Sequence, residues 1–141
     1  MFSRNFGENA AVDAGFKVAM GNYIVKIDSD LQNDPEDIPQ IIAKLKAGYG
    51  VVKGWRRDRY KGDGWNRVLF SKLANWLIRR VTGVLLHDFS SPLEGYRREF
   101  IEDVNLLGET FVFLPIFAHD RGARIFELPI AHKARHSGSS K

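Results

Sequence analysis

The chain has 141 residues, 44% of them hydrophobic and 27% charged, with a net charge of +4 and no cysteine. That length suits one domain with a sizeable core, and the composition excludes disorder as the default. It also excludes disulfides, a cysteine nucleophile and a cysteine-based zinc site, and no run approaches the roughly 18 apolar residues of a membrane span.

In chain order, the alanine-rich stretch from Ala10 to Met20, with apolar residues at 12, 16, 19 and 20, predicts a helix that stops near Gly21. Tyr23 to Asp28 is a short β-branched run that reads as a buried strand, and it stops in Asp28-Ser29-Asp30. In open α/β sheets the carboxyl end of a strand is where ligands bind. Side chains at i and i+2 of an extended segment point the same way, so Asp28 and Asp30 can converge on one divalent cation. Mg2+ or Mn2+ prefers such hard oxygen ligands and shares them with a diphosphate. The competing reading of an Asp-x-Asp is a solvated Asx-turn.

The acids that follow have a local explanation. Asp34 is placed as an N-cap, Pro35 as the first helical residue, and Glu36 and Asp37 sit in the first turn, where they suit the helix dipole. The helix spans about 35 to 47, with Ile38, Ile41, Ile42 and Leu45 on one apolar face and Gly48 as its stop. Val51 to Gly54 reads as the next strand, so helix and strand alternate in the rhythm of a parallel sheet.

Basic residues cluster between Lys53 and Lys61 and again near the C-terminus, and such clusters seek phosphates. A helix over 65 to 82 carries an apolar stripe of Leu69, Leu73, Trp76, Leu77 and Val81. On its other face Arg67, Ser71 and Asn75 recur every four residues, a pattern that by itself reads as a solvated face. The serines, proline and glycine of Asp88 to Arg97 predict an ordered loop. A short helix to about 105, a helical segment over 111 to 120 and a strand over 123 to 130 follow, and the polar tail over 131–141 is expected to be mobile. His87, His119, His132 and His136 are not spaced as metal ligands and read as surface or satisfied histidines.

Six motifs in this order carry a resemblance that covers nearly the whole chain. They are Arg4-Asn5-x-Gly7, Asp28-Ser29-Asp30-Leu31-Gln32-Asn33-Asp34-Pro35-Glu36, Gly54-Trp55-Arg56, Ser71-x-x-Ala74-Asn75-Trp76, Gly95-Tyr96-Arg97-Arg98 and Arg135-x-x-Gly138-x-Ser140-Lys141. Together they resemble a family 2 glycosyltransferase of the dolichol-phosphate mannosyltransferase and bactoprenol glucosyltransferase branch. The resemblance implies an α/β fold, a truncated GT-A-like three-layer sandwich with a mainly parallel sheet, and a single incomplete catalytic domain over 1–141.

It also implies roles. Asp28, Asp30 and Gln32 match positions that hold Mg2+ or Mn2+, and Asp28, Asp30 and Arg56 match donor-binding positions. Asp30 and Asp88 match catalytic ones, Asp88 by opening the catalytic loop. Arg67 and Ser71, with Arg135, match residues that hold an acceptor phosphate, which replaces the solvated-face reading of that strip. The implied reaction is inverting transfer of a sugar from a nucleotide-diphosphate sugar to a polyprenyl (dolichyl or undecaprenyl) phosphate. The acceptor is already ionised, so positioning matters more than a strong base. The implied location is cytoplasmic, at the inner face of the membrane.

Two departures stand out. Glu94 occupies a place where relatives often carry a lysine or arginine, and an acid there is expected to repel phosphate. Family members also have a first strand, a Pro-x-x-Asn-Glu loop, and a second strand and helix before the Arg-Asn-x-Gly motif. Without them the strand at 23 to 28 is expected to expose an edge, the chain to self-associate as a homo-oligomer, and transfer to be weak or absent. The alternatives are a non-catalytic remnant that self-associates and, third, a nucleic-acid-binding module supported only by the Lys53 to Lys61 cluster with Trp55 and Tyr60; no nucleic acid is expected as a partner.

Overall fold

The computed structural model describes residues 4, 6–30, 32–56, 65–104 and 110–131, with the side chains of 65–72 and 110 excepted. Its four strands are β1 (Tyr23–Lys26), β2 (Val51–Arg56), β3 (Glu94–Arg97) and β4 (Ile125–Ile130). Its helices are α1 (Glu8–Val18), α2 (Ile38–Lys46), α3 (Trp65–Thr82) and α4 (Leu114–Asp120). The strands form one sheet in the order β1-β3-β2-β4. β3 runs antiparallel to both β1 and β2, and β2 runs parallel to β4, so β1, β2 and β4 point one way with β3 reversed between them. The sheet is therefore mixed, and the β1-α2-β2 crossover passes over β3.

β3 lies where an ordered loop was expected. Glu94-Gly95-Tyr96-Arg97 has no β-branched residue to signal a strand, and tertiary pairing on both sides overrides that weak propensity. Gly95 shows why the position takes no side chain. A Cβ there would sit 2.2 Å from Ile41 Cγ2, so α2 packs directly on the β3 backbone.

Residues opposite one another in register share a face of the sheet. The row Val25–Gly95–Val52–Phe126 faces α2, whose Ile41 and Leu45 are fully buried, with Leu93, Leu128 and Ile130 completing that core. The next row, Ile24–Tyr96–Val51–Ile125, faces the other way, against Val12 and Phe16 of α1 and Leu114 and Ala118 of α4. The result is a three-layer α/β/α arrangement.

The local signals around α2 act as expected. Asp34 accepts a hydrogen bond from Glu36 N at 3.1 Å, and Pro35 opens a 3-10 turn that leads into the helix. β1 stops at Lys26, and Ser29 and Asp30 form a turn, so strand alternation does not extend to Asp28 and Asp30. The stripe on α3 also departs from a core face. Leu73, Trp76, Leu77 and Val81 are all more than half exposed, and Ile78 makes the helix's packing contact with Val84, Leu86 and Phe89. The strand at 23–26 is an edge of the sheet among the described residues, as expected. The cluster beyond Arg56 and the tail from 132, with His132, Arg135 and His136, lie outside the described residues.

Candidate active site

Because β1 and β2 run the same way and β3 starts where they end, Asp28, Arg56 and Glu94 all come to one edge of the sheet. A cavity of about 480 Å³ opens there, lined by Glu8, Lys26, Asp28, Phe89, Ser91 and Glu94 among others. Lys26 and Glu94 belong to a row of alternating charge across all four strands, Lys26–Glu94–Lys53–Glu127 in register, and these two line the cavity.

At the centre of that row Lys53 Nζ donates to Glu94 Oε1 at 2.5 Å, with both side chains sealed from solvent. Tyr96 donates its hydroxyl to the other Glu94 oxygen. Burial first, then the Glu94 charge and this hydrogen bond, push the Tyr96 phenol well above its ordinary range, so it stays protonated as a donor. This corrects two expectations. Lys53 is not part of a surface basic cluster, and the negative charge of Glu94 is matched by a buried ammonium and does not stand unpaired before a phosphate.

Lys26 occupies the outer end of the row. Its ammonium lies 2.8 Å from Glu8 Oε1 and 3.1 Å from Asp28 Oδ1, and 4.4 Å from the centre of the Phe111 ring. Burial pulls its pKa down, but the hydrogen bond it donates to Glu8 and the charges of Asp28 and Glu94 outweigh that and leave it raised.

Asp30 Oδ1 accepts from Gln32 N at 3.2 Å, which is the Asx-turn reading of this loop. Next to it Asn33 is buried, and neither end of its amide has a hydrogen-bond partner among the described residues. The loop from Asp28 to Asn33 thus carries two carboxylates and two amides, one with an orphaned carbonyl oxygen. Among the described residues no cluster of three or more His, Cys, Asp or Glu forms a self-sufficient metal cage. Two carboxylates with neutral oxygens fit Mg2+ or Mn2+, which take few protein ligands when water and substrate phosphates supply the rest.

Arg56 and Asp88, read from the sequence as separate residues, form one unit. Arg56 Nε lies 2.7 Å from Asp88 Oδ2 and its terminal nitrogen 3.1 Å from Oδ1, a bidentate pair, with a further bond to Ser90 O at 2.9 Å. Asp88 is buried and also accepts from Ser90 N at 3.2 Å, so it both caps the turn and orients the arginine. Behind it His87 stacks on Trp55 with ring centres 4.4 Å apart, and its Nδ1 lies 2.6 Å from Glu127 Oε2.

Arg67 and Ser71 belong to α3, but their side chains are outside the described set. Asn75, the third residue of that strip, donates to His87 O at 2.9 Å, so the strip meets the Asp88 loop there and is not merely solvated. Sequence reasoning missed Lys26, Glu8 and Glu127. The available signal was a lysine in an otherwise apolar strand, two residues before the first aspartate.

Residues 1–104 match the family described as Glycosyl transferase family 2. Over all 141 residues the chain is 39% identical to an undecaprenyl-phosphate 4-deoxy-4-formamido-L-arabinose transferase of Aeromonas hydrophila subsp. hydrophila. Among solved structures it is similar to glucosyl-3-phosphoglycerate synthase of Mycobacterium tuberculosis in complex with UDP, with a TM-score of 0.71 and 20% identity over 96% of this chain. The same synthase with Mn2+, UDP-glucose and glycerol 3-phosphate gives a TM-score of 0.64 and 20% identity over 93% of this chain. The chain spans less than half the length of these relatives, 43% of the first and 49% and 48% of the synthase chains. The structural likeness establishes the GT-A fold.

Proposed function

Because the chain belongs to glycosyl transferase family 2, we propose that it forms the diphosphate- and acceptor-binding part of an enzyme that transfers a sugar from a nucleotide-diphosphate sugar to a polyprenyl phosphate, with inversion at the anomeric carbon. The observation that carries this reading is the 39% identity, across the whole chain, to a transferase that uses undecaprenyl phosphate. Asp28, Asp30 and Gln32 would hold Mg2+ or Mn2+, which stabilises negative charge developing on a leaving diphosphate.

The chain's own residues supply position and charge. Asp88 fixes the Arg56 guanidinium at the edge of the sheet, so Arg56 meets the donor pre-oriented. Arg67 and Ser71 on α3, with Arg135, hold the acceptor phosphate, and Asn75 ties that helix to the Asp88 loop. An acceptor that arrives ionised needs alignment more than proton removal, and no general base is assigned. A polyprenyl acceptor places the reaction at a membrane surface, and no helix among the described residues is long and apolar enough to cross one. Self-association is a second element of the proposal, supported by the outer edge of β1, which no other strand among the described residues pairs, and by the exposed Val18 and Met20 that precede β1 in the chain.

Calorimetry of the chain with UDP-glucose, UDP-GlcNAc and GDP-mannose, with and without Mg2+, tests the donor site. At least one should bind only with metal, and Asp30→Asn should weaken that binding far more than Asp37→Asn. Equal effects of the two substitutions, or no binding of any of the three, would overturn the assignment.

A further inference from the structure

The cavity beside the sheet edge holds a cation of its own. Glu8, Asp28 and Glu94 bring three carboxylates to its lining, and Lys26 brings one ammonium. Glu94 is matched from behind by Lys53. That leaves Lys26 shared between Glu8 at 2.8 Å and Asp28 at 3.1 Å, two negative charges against one positive. The register holds it there, because Lys26 pairs with Glu94 across the sheet and its ammonium sits over the Phe111 ring. A resident ammonium on a carboxylate occupies the place that a divalent cation would need, and the two must compete for it.

From this geometry we propose that Lys26 is the resident counter-ion of the site: its ammonium holds Asp28 when no divalent cation is bound and, still tethered by Glu8, contacts a phosphate oxygen of the nucleotide diphosphate once a cation takes Asp28. The proposal rests on the transferase reading of Asp28. The tether is what makes the second half follow. Glu8 and the Phe111 ring keep the ammonium in the cavity after Asp28 is released, next to the place where the diphosphate must meet the metal. Among the described residues the cavity has one unmatched negative charge with Lys26 in place, so a metal-free diphosphate is disfavoured there and a metal-bound one is not.

Lys26→Met is a tolerable variant. Glu8 and Asp28 are both solvent-accessible, 64% and 36% exposed at the side chain, so neither is left as a buried unpaired charge. Circular dichroism establishes that the variant is folded before binding is measured.

Two titrations on the full chain then separate the outcomes. Mn2+ alone, followed by its electron paramagnetic resonance signal, should bind roughly threefold to tenfold more tightly to Lys26→Met than to the unmodified chain, because a competing charge about 3 Å away has gone. UDP titrated at saturating Mn2+ should bind roughly tenfold less tightly to the variant, because a charge-assisted contact to phosphate is lost. Glu8→Gln, which loosens the tether and also removes a carboxylate charge from the cavity, should leave Mn2+ binding no tighter than in Lys26→Met. Unchanged or weaker Mn2+ binding in Lys26→Met overturns the counter-ion role, and unchanged UDP binding overturns the phosphate contact. If neither chain binds Mn2+, Asp28 is not a metal ligand, and both the transferase reading of that residue and this proposal fall. Mn2+ binding that is equal in the two chains removes only the proposal.

Discussion

Two rows on opposite faces of the sheet are held together by different physics. Toward α2, the row Val25–Gly95–Val52–Phe126 is wholly apolar, and Ile41 and Leu45 close over it with no room for a single added carbon at Gly95. On the opposite face, one step along the same strands, the row is Lys26–Glu94–Lys53–Glu127, and it is held by pairing of opposite charges. Shape complementarity makes the first face stable without making it selective. Charge pairing adds little net stability over an apolar replacement, but it keeps fixed charges next to the cavity where an ionic substrate would bind.

The sharpest break of this comparison is at the centre of the charged row. Lys53→Met leaves Glu94 buried without its ammonium and should cost about 3–5 kcal/mol, read as a shift in the urea midpoint. The double variant Lys53→Met/Glu94→Gln should recover most of that loss, because what is costly is the lone charge and not the absence of a pair. A double variant as unstable as the single one would show that the pair itself stabilises the fold.

The apolar face should respond to size alone. Gly95→Ala puts a carbon 2.2 Å from Ile41 Cγ2 and should cost about 1–3 kcal/mol by overpacking. In an Ile41→Ala background, where that Cγ2 is gone, Gly95→Ala should cost less than in the unmodified chain. If Gly95→Ala is neutral, α2 does not lie as close to β3 as the structure shows.

The same contrast separates what could be read from the sequence from what could not. α2 was legible in full, because the period of Ile38, Ile41, Ile42 and Leu45, the Asp34 cap and the Gly48 stop all point to one element. β3 was not, since Glu94-Gly95-Tyr96-Arg97 has neither the alternation nor the branching of a strand and owes its conformation to neighbours on both sides. At the candidate site, Asp28, Arg56 and Asp88 were singled out by motif, yet the bonds that join Arg56 to Asp88 link residues 32 apart and no local pattern encodes them. Lys53 and Glu94 were each given a surface role because a lysine and a glutamate are seldom buried, and only the register shows that they neutralise one another.

Alkaline pH should separate the faces without a mutation. Tyr96 and Lys26 both have raised pKa values in the folded chain, Tyr96 through burial and the Glu94 charge, Lys26 through Glu8 and Asp28 acting against burial. A group whose folded pKa is raised contributes stability that is complete below its unfolded pKa and lost as pH rises through the folded value. Melting temperature should therefore stay flat to about pH 9.5 and fall above about pH 10. Tyr96→Phe should flatten part of that fall, whereas Ile41→Val, which changes neither of these two groups, should lower the whole curve without changing its slope.

The smallest effect is expected where the sequence pattern looks most like a core. Leu73, Trp76, Leu77 and Val81 repeat on α3 much as the isoleucines repeat on α2, but Leu77 is 55% exposed while Ile41 is fully buried. Periodicity shows which side of a helix is apolar, and only contact with another layer turns that side into stability. Ile41→Ala should accordingly cost about 2–5 kcal/mol, and Leu77→Ala no more than about 0.5 kcal/mol, within the range of ordinary surface changes. Thermal denaturation of the two variants side by side tests this. A loss of 2 kcal/mol or more from Leu77→Ala, at a concentration where the chain sediments as a monomer, would mean that α3 packs against something the described residues do not include. The same loss appearing only as concentration rises would place the α3 stripe at a contact between copies of the chain.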